Sequence, residues 1–253
     1  MLRTRSLLFA LSLIALASPA FLLAQEKKEN DAIVPVPREG NWMKRHESFN
    51  ERVKQGNVDL IFIGDSITQG WEGNGKKVWE EFYGKRNAVN LGIGGDRTQH
   101  VLWRLDHGNI DGIKPKLAVL MIGTNNSGTN TSEQIAAAVK AIVEKLRMKL
   151  PETKVLVLAI FPRGANFDAQ KNKTEKGLTD DKNRKVNEGA NEIIKGMADN
   201  KMVYYLDIGP KFLEADGTLS REVMPDLLHL NEKSYRIEAE AIEPKIKELL
   251  GEK

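Results

Sequence analysis

The chain has 253 residues, 41% of them hydrophobic and 29% charged, with a formal charge of +3. That is enough apolar material for one core, and the charge is too balanced to point to a nucleic-acid partner. Cysteine is absent, which excludes disulfides, thiolate metal sites, a cysteine nucleophile and a lipoprotein anchor.

Residues 1–24 read as a secretory signal peptide. Arg3 and Arg5 form a positive n-region, and 7–17 is apolar with one serine. Small residues then stand at two cleavage patterns, Ser18-Pro19-Ala20 and Leu22-Leu23-Ala24 before Gln25. The expectation is an exported protein, periplasmic or extracellular. An uncleaved anchor is the alternative, because the uncharged run 6–25 is about long enough to span a bilayer. Without Arg3 and Arg5 the charge falls from +3 to +1. Residues 25–40 read as a polar lead-in, and 41–253 as the folded domain.

In 42–55, Met43, His46, Phe49 and Val53 recur at helical spacing, and Gly56 follows. Leu60 to Ile63 is a short run of β-formers closed by Gly64, the pattern of a strand buried on both faces. Val78, Trp79, Phe82 and Tyr83 suggest a second helix. A short strand over 88–91 runs into Gly92-Ile93-Gly94-Gly95-Asp96, and 99–105 is a helical turn or two. A fully apolar strand over 117–122 ends in Gly123-Thr124-Asn125-Asn126. The long amphipathic helix 131–150 opens with Thr131 and Gln134 spaced as a capping box. A third apolar strand, 155–160, is closed by Phe161-Pro162-Arg163-Gly164. Residues 166–181 read as a polar loop, 183–199 as a helix and 202–208 as a strand. The polar cluster 171–185 reads as a solvated face. The last helix, 231–250, is capped by Asn231 and stopped by Gly251. Strands alternating with helices in this way predict a parallel sheet with helices on both faces.

The polar residues gather at strand ends, where open α/β sheets place their ligands. Ser66 stands just past the first strand. If a helix starts there, its N–H is an unpaired first-turn donor, so a hydroxyl for attack and an N–H for an oxyanion come from one residue. Ser66 as a simple N-cap is the competing reading. Thr68 stands where a G-x-S-x-G elbow needs its second glycine. Gly94-Gly95 allows close backbone approach, or is only a tight turn. Asn125 offers a side-chain amide for an oxyanion, or forms an Asx-turn. Asp226 and His229, three apart before a capped helix, have the spacing of a carboxylate that orients an imidazole base. His46 and His107 read as surface or packing residues and His100 as structural.

Serine, glycine and asparagine at successive strand ends, with D-x-x-H before the last helix, resemble the SGNH (GDSL) hydrolase family. The blocks GDSITQGW, NLGIGGDRTQHVLWRL, GTNN, FPRG and DLLHLNEKSY look most like the catalytic subunits of intracellular platelet-activating-factor acetylhydrolases. The match runs over 42–250. The resemblance implies a flavodoxin-like three-layer α/β/α sandwich around a parallel sheet. It implies Ser66 as nucleophile, His229 as base and Asp226 as orienter. The Ser66 N–H, the Gly95 N–H and the Asn125 amide would form the oxyanion hole. Ile67 directly follows the nucleophile and Leu228 directly precedes the base. By position and by resemblance, both are expected to close an acyl pocket. Export sets this chain apart, so the lipid substrate and cytoplasmic partners of that subfamily do not carry over.

The expected activity is hydrolysis of short acyl esters, acetyl foremost, on a carbohydrate or lipid through an acyl-enzyme, with no metal or other cofactor. The expected partner is a small-molecule or polysaccharide ester and no nucleic acid, and the resemblance leaves a homodimer open. An O-acyltransferase on the same triad and an inactive binding protein are the alternatives.

Overall fold

The structure, a computed structural model, describes residues 29–164 and 181–252. The expected leader, and the expected loop apart from its last residue Asp181, lie outside the described residues. The elements are α1 (Asn41–Lys54), β1 (Leu60–Gly64), α2 (Ser66–Gln69), α3 (Lys76–Phe82), β2 (Ala88–Gly92) and α4 (Thr98–Asp106). They continue with β3 (Leu117–Met121), α5 (Ser132–Lys149), β4 (Lys154–Leu158), α6 (Lys182–Lys195), β5 (Val203–Leu206) and α7 (Glu232–Leu250).

The five strands pair in parallel in the order β2-β1-β3-β4-β5. Successive side chains of a strand point to opposite faces. Ile61 and Ile63 therefore join the apolar layer under α1, α4, α5 and α6, while Leu60 and Phe62 join the layer under α3 and α7. With both faces covered, β1 and β3 can be apolar throughout, and all their residues are buried. The sandwich has three layers, as expected.

Chain order reverses between β1 and β3, which makes their C-terminal ends the crevice of the sheet. Gly64 is level with Gly92 on one side and with Met121 on the other. The chain packs tightly there. A Cβ on Gly64 would come within 2.4 Å of the Met121 carbonyl oxygen, so only glycine fits.

The main departures from expectation are at element ends. Helix α6 stops at Lys195 instead of 199, with Gly196 as its C-cap. The Asp199 carboxylate takes the N–H groups of Lys201, Met202 and Val203 at 2.8–2.9 Å, starting the turn into β5. In the stretch read as a solvated face, Arg184 is buried; it pairs with Glu188 at 2.8 Å and donates to the Gly217 carbonyl. The lead-in is attached to the sandwich. Ala32 is buried, its carbonyl accepts from Thr98 Oγ1 at 2.8 Å, and Val36 N–H donates to the Gln99 carbonyl.

Candidate active site

Ser66 is the first residue of α2, two residues past the end of β1. The cap is Asp65, whose carboxylate takes the Ile67 N–H at 3.0 Å. This removes the reading of Ser66 as an N-cap. A first-turn N–H has no acceptor within its helix, and none among the described residues takes the Ser66 N–H. Asp65 is itself fully buried. Burial pushes its pKa up to about 7, against the Ile67 hydrogen bond and with the help of nearby Asp96.

The D-x-x-H turn delivers the other two groups. His229 Nε2 lies 2.8 Å from Ser66 Oγ, and His229 Nδ1 lies 2.6 Å from Asp226 Oδ2. The other Asp226 oxygen takes the N–H groups of Leu228 and His229 at 3.0 and 2.7 Å. Partial burial works to raise the Asp226 pKa. The bonds from the His229 ring and the two backbone N–H groups outweigh it and hold Asp226 below the usual carboxylate range. An ionised carboxylate only accepts. Nδ1 therefore carries the proton, and the Nε2 lone pair accepts from the Ser66 hydroxyl.

The turn carries strain. Leu227 has φ +62°, a left-handed conformation that is an outlier for a bulky residue. Its cost, on the order of 1–2 kcal/mol, is offset by burial of the side chain and by the Gly164 N–H bond to the Leu227 carbonyl at 2.8 Å. Sequence spacing alone did not reveal this residue. Ile67, which follows Ser66 in sequence, and Leu228, which precedes His229, are both buried in the apolar layer that holds Leu227 and Tyr235.

The loops after β2 and β3 meet beside Ser66. A Cβ on Gly94 would lie 3.9 Å from Ser66 Cβ. Gly95 has φ +73°, which glycine adopts freely, and its N–H has no acceptor among the described residues. Asn125 Nδ2 donates to the Asp96 carbonyl at 2.9 Å. That bond uses one of the two amide hydrogens and leaves the other.

A buried polar network underlies these loops. Both Asp96 and Arg104 are fully buried, with Arg104 Nε 2.9 Å from Asp96 Oδ2. The Trp42 indole donates to Asp96 Oδ1 at 2.6 Å, and Arg104 Nη1 donates to Asn109 Oδ1 at 2.8 Å. The network ties α1 and α4 to the β2 loop. The sequence held a signal for it, because Arg104 falls on the apolar stripe of Val101, Leu102 and Leu105. A charge there needs a buried partner.

The remaining histidines pack. His100 Nδ1 accepts the Arg97 N–H at 2.9 Å and completes a capping box of α4. Burial, then the cations Arg38, Arg97 and Arg104, press its pKa down to about 4. His46 stacks on Trp42, and His107 on Trp103.

Comparison with known proteins points to one family. Residues 62–237 match the model of the GDSL-like lipase/acylhydrolase family. The chain is 36% identical over 230 residues to platelet-activating factor acetylhydrolase IB subunit alpha1 of Homo sapiens, covering 89% of this chain and 93% of that one. It is 34% identical over 228 residues to the alpha2 subunit of Rattus norvegicus, covering 88% and 93%. In fold it resembles a GDSL-like lipase from Bacteroides thetaiotaomicron, with a TM-score of 0.62 at 18% identity over 81% of this chain and 97% of the other. The chain belongs to the GDSL-like lipase/acylhydrolase family and is a carboxylic ester hydrolase.

Proposed function

We propose that the protein removes short acyl groups, acetyl first, from an esterified carbohydrate or lipid through an acyl-enzyme on Ser66. The observation that carries this reading is the continuous chain from Ser66 Oγ through His229 to Asp226, with bonds of 2.8 and 2.6 Å. Ser66 Oγ bonds to the acyl carbon while its proton passes to His229 Nε2. The carbonyl electron pair moves onto oxygen, where the Ser66 N–H, the Gly95 N–H and the Asn125 amide receive the charge. Collapse breaks the carbon–oxygen bond, and the departing alkoxide takes the proton from His229. Water then repeats the sequence and releases the acid. Asp226 stays ionised throughout, holding the ring and stabilising the imidazolium.

Acetyl is favoured by two things. The relatives above are named acetylhydrolase subunits, and the bulky Ile67 and Leu228 stand next in sequence to the nucleophile and the base. Export is proposed from the Arg3/Arg5 region and the apolar run behind it. The test is a hydrolysis screen over acetylated sugars, acetylated xylan and short-chain phospholipid esters, run with Ser66→Ala beside the wild type. Release of acetate that disappears in the variant supports the proposal, and turnover confined to long-chain esters contradicts it.

A further inference from the structure

Arg38 comes from the segment ahead of α1, yet its guanidinium lies on the loop beside Ser66. Its Nη1 donates to the Gly94 carbonyl at 2.8 Å and reaches Asp96 Oδ1 at 3.4 Å. A Cβ on Gly95 would sit 3.3 Å from the same nitrogen. We propose that Arg38 is a positioning residue for the oxyanion hole: by holding the Gly94 carbonyl it orients the Gly95 N–H and strengthens it as a donor. The inference rests on the Ser66 mechanism proposed above.

The link is the peptide unit. The Gly94 carbonyl and the Gly95 N–H belong to one planar group. No peptide bond among the described residues is cis, so the C=O and N–H bonds point in opposite directions and their dipoles reinforce each other. A cation on the oxygen fixes where the N–H points and draws electrons away from it. Hydrogen bonds polarise one another in this sense inside proteins. The preceding peptide group is held as well, because the Gly94 N–H donates to Gln69 Oε1 at 2.6 Å. Both polar groups of Gly94 are thus engaged, while the Gly95 N–H is left without an acceptor among the described residues. Two successive glycines would otherwise be among the most mobile backbone available. A donor aimed before the reaction needs no reorganisation during it, which is the source of oxyanion-hole catalysis.

Arg38 can hold the loop because the segment that carries it is anchored to α4 by the Val36 and Ala32 bonds. Asp96 keeps the guanidinium from swinging away. The side chain is 38% exposed, and an exposed guanidinium has a second chemical use, gripping an anionic group on the substrate. The two uses separate kinetically. Aiming a donor acts on the transition state of every ester, whereas gripping an anion acts on binding of charged esters alone.

The experiment compares wild type with Arg38→Met, Arg38→Gln and Arg38→Lys on neutral p-nitrophenyl acetate and on an ester bearing a carboxylate. Removing a whole oxyanion donor costs about 10²–10³ in kcat, so loss of its support should cost about 10- to 50-fold. The loss should fall in kcat with KM unchanged, and equally for both esters. Arg38→Lys keeps a cation that can reach one carbonyl and should recover most of it. Affinity for a trifluoromethyl ketone, which forms a tetrahedral oxyanion on Ser66, should weaken by the same factor as kcat/KM. Arg38→Met and Arg38→Gln with wild-type kcat overturn the proposal, and so does a loss confined to KM for the charged ester. If Arg38→Met does not fold, the Gln and Lys variants decide by the same criteria. A wild type as active as its Ser66→Ala variant overturns the Ser66 mechanism, and this inference with it.

Discussion

Replacing Arg104 with methionine isolates what the buried Asp96–Arg104 pair contributes. Arg104 touches Asp96 at 2.9 Å and Asn109 at 2.8 Å, and neither charged side chain reaches solvent. Methionine fills much of the same space without charge. Asp96 would keep the Trp42 indole at 2.6 Å and the half-exposed Arg38 at 3.4 Å. In the wild type, burial already raises the Asp96 pKa against the pull of Arg104, Trp42 and Arg38, and it lowers that of Arg104 against Asp96. The pair therefore specifies the loop more than it stabilises the fold, but stranding one member is expensive, about 3–5 kcal/mol. At about 2–4 °C per kcal/mol for a chain of this size, Tm should fall by roughly 6–20 °C. A stranded Asp96 binds a proton more readily. The deficit should therefore be largest near pH 8 and shrink near pH 5, since a raised carboxylate pKa costs stability as pH climbs through it. Adding Asp96→Asn should restore part of the loss. Urea unfolding of both single variants and the double at the two pH values measures this. An Arg104→Met deficit below about 1 kcal/mol near pH 8 would refute the reasoning, as would a double variant within about 0.5 kcal/mol of the sum.

Asn125→Ala should lower kcat by about 10²–10³ with the fold intact, as steady-state kinetics and circular dichroism can check. Glu238, fully buried in α7, has its pKa raised to about 8 by burial despite a Trp71 hydrogen bond. Its stability contribution is full below about pH 4.5 and is lost as pH rises through about 8. Calorimetry should find Glu238→Gln gaining on the wild type from pH 5 to pH 8.5, and parallel Tm curves would contradict this. On p-nitrophenyl esters from acetate to octanoate, kcat/KM should peak at acetate and fall roughly ten- to hundredfold beyond butyrate, the effect of overfilling a packed site by about 1–3 kcal/mol. Leu228→Ala should flatten that fall, and octanoate turned over as well as acetate would show an open pocket.

The parts that were legible in the sequence are those with local signals. Apolar runs of β1 and β3 could only be strands buried on both faces, and their alternation with helices dictated a parallel sheet. Asp226 and His229 are three apart, so their contact is a local matter, and Asn231 marks the helix that follows. The supporting contacts were not legible, because they join residues far apart in the chain. Arg38 lies 56 positions from the carbonyl it holds, in a stretch whose composition reads only as polar. Asp65 rather than Ser66 caps α2 because the preceding residue's carboxylate reaches the Ile67 N–H, a choice between neighbours that composition does not make. The strain at Leu227 arises from the tertiary fit of the turn against Gly164, and no preference of leucine announces it.

The central claim is that Ser66 carries the acyl group. Acid-quenching the protein during turnover of p-nitrophenyl acetate, followed by peptide mass spectrometry, tests it most directly. The account predicts one acetyl group on the peptide containing Ser66. It also predicts no such peptide from Ser66→Ala, whose kcat should fall by roughly 10⁶ while the protein remains folded. An acetyl group on any other residue, or a folded Ser66→Ala protein with undiminished esterase activity, would contradict it.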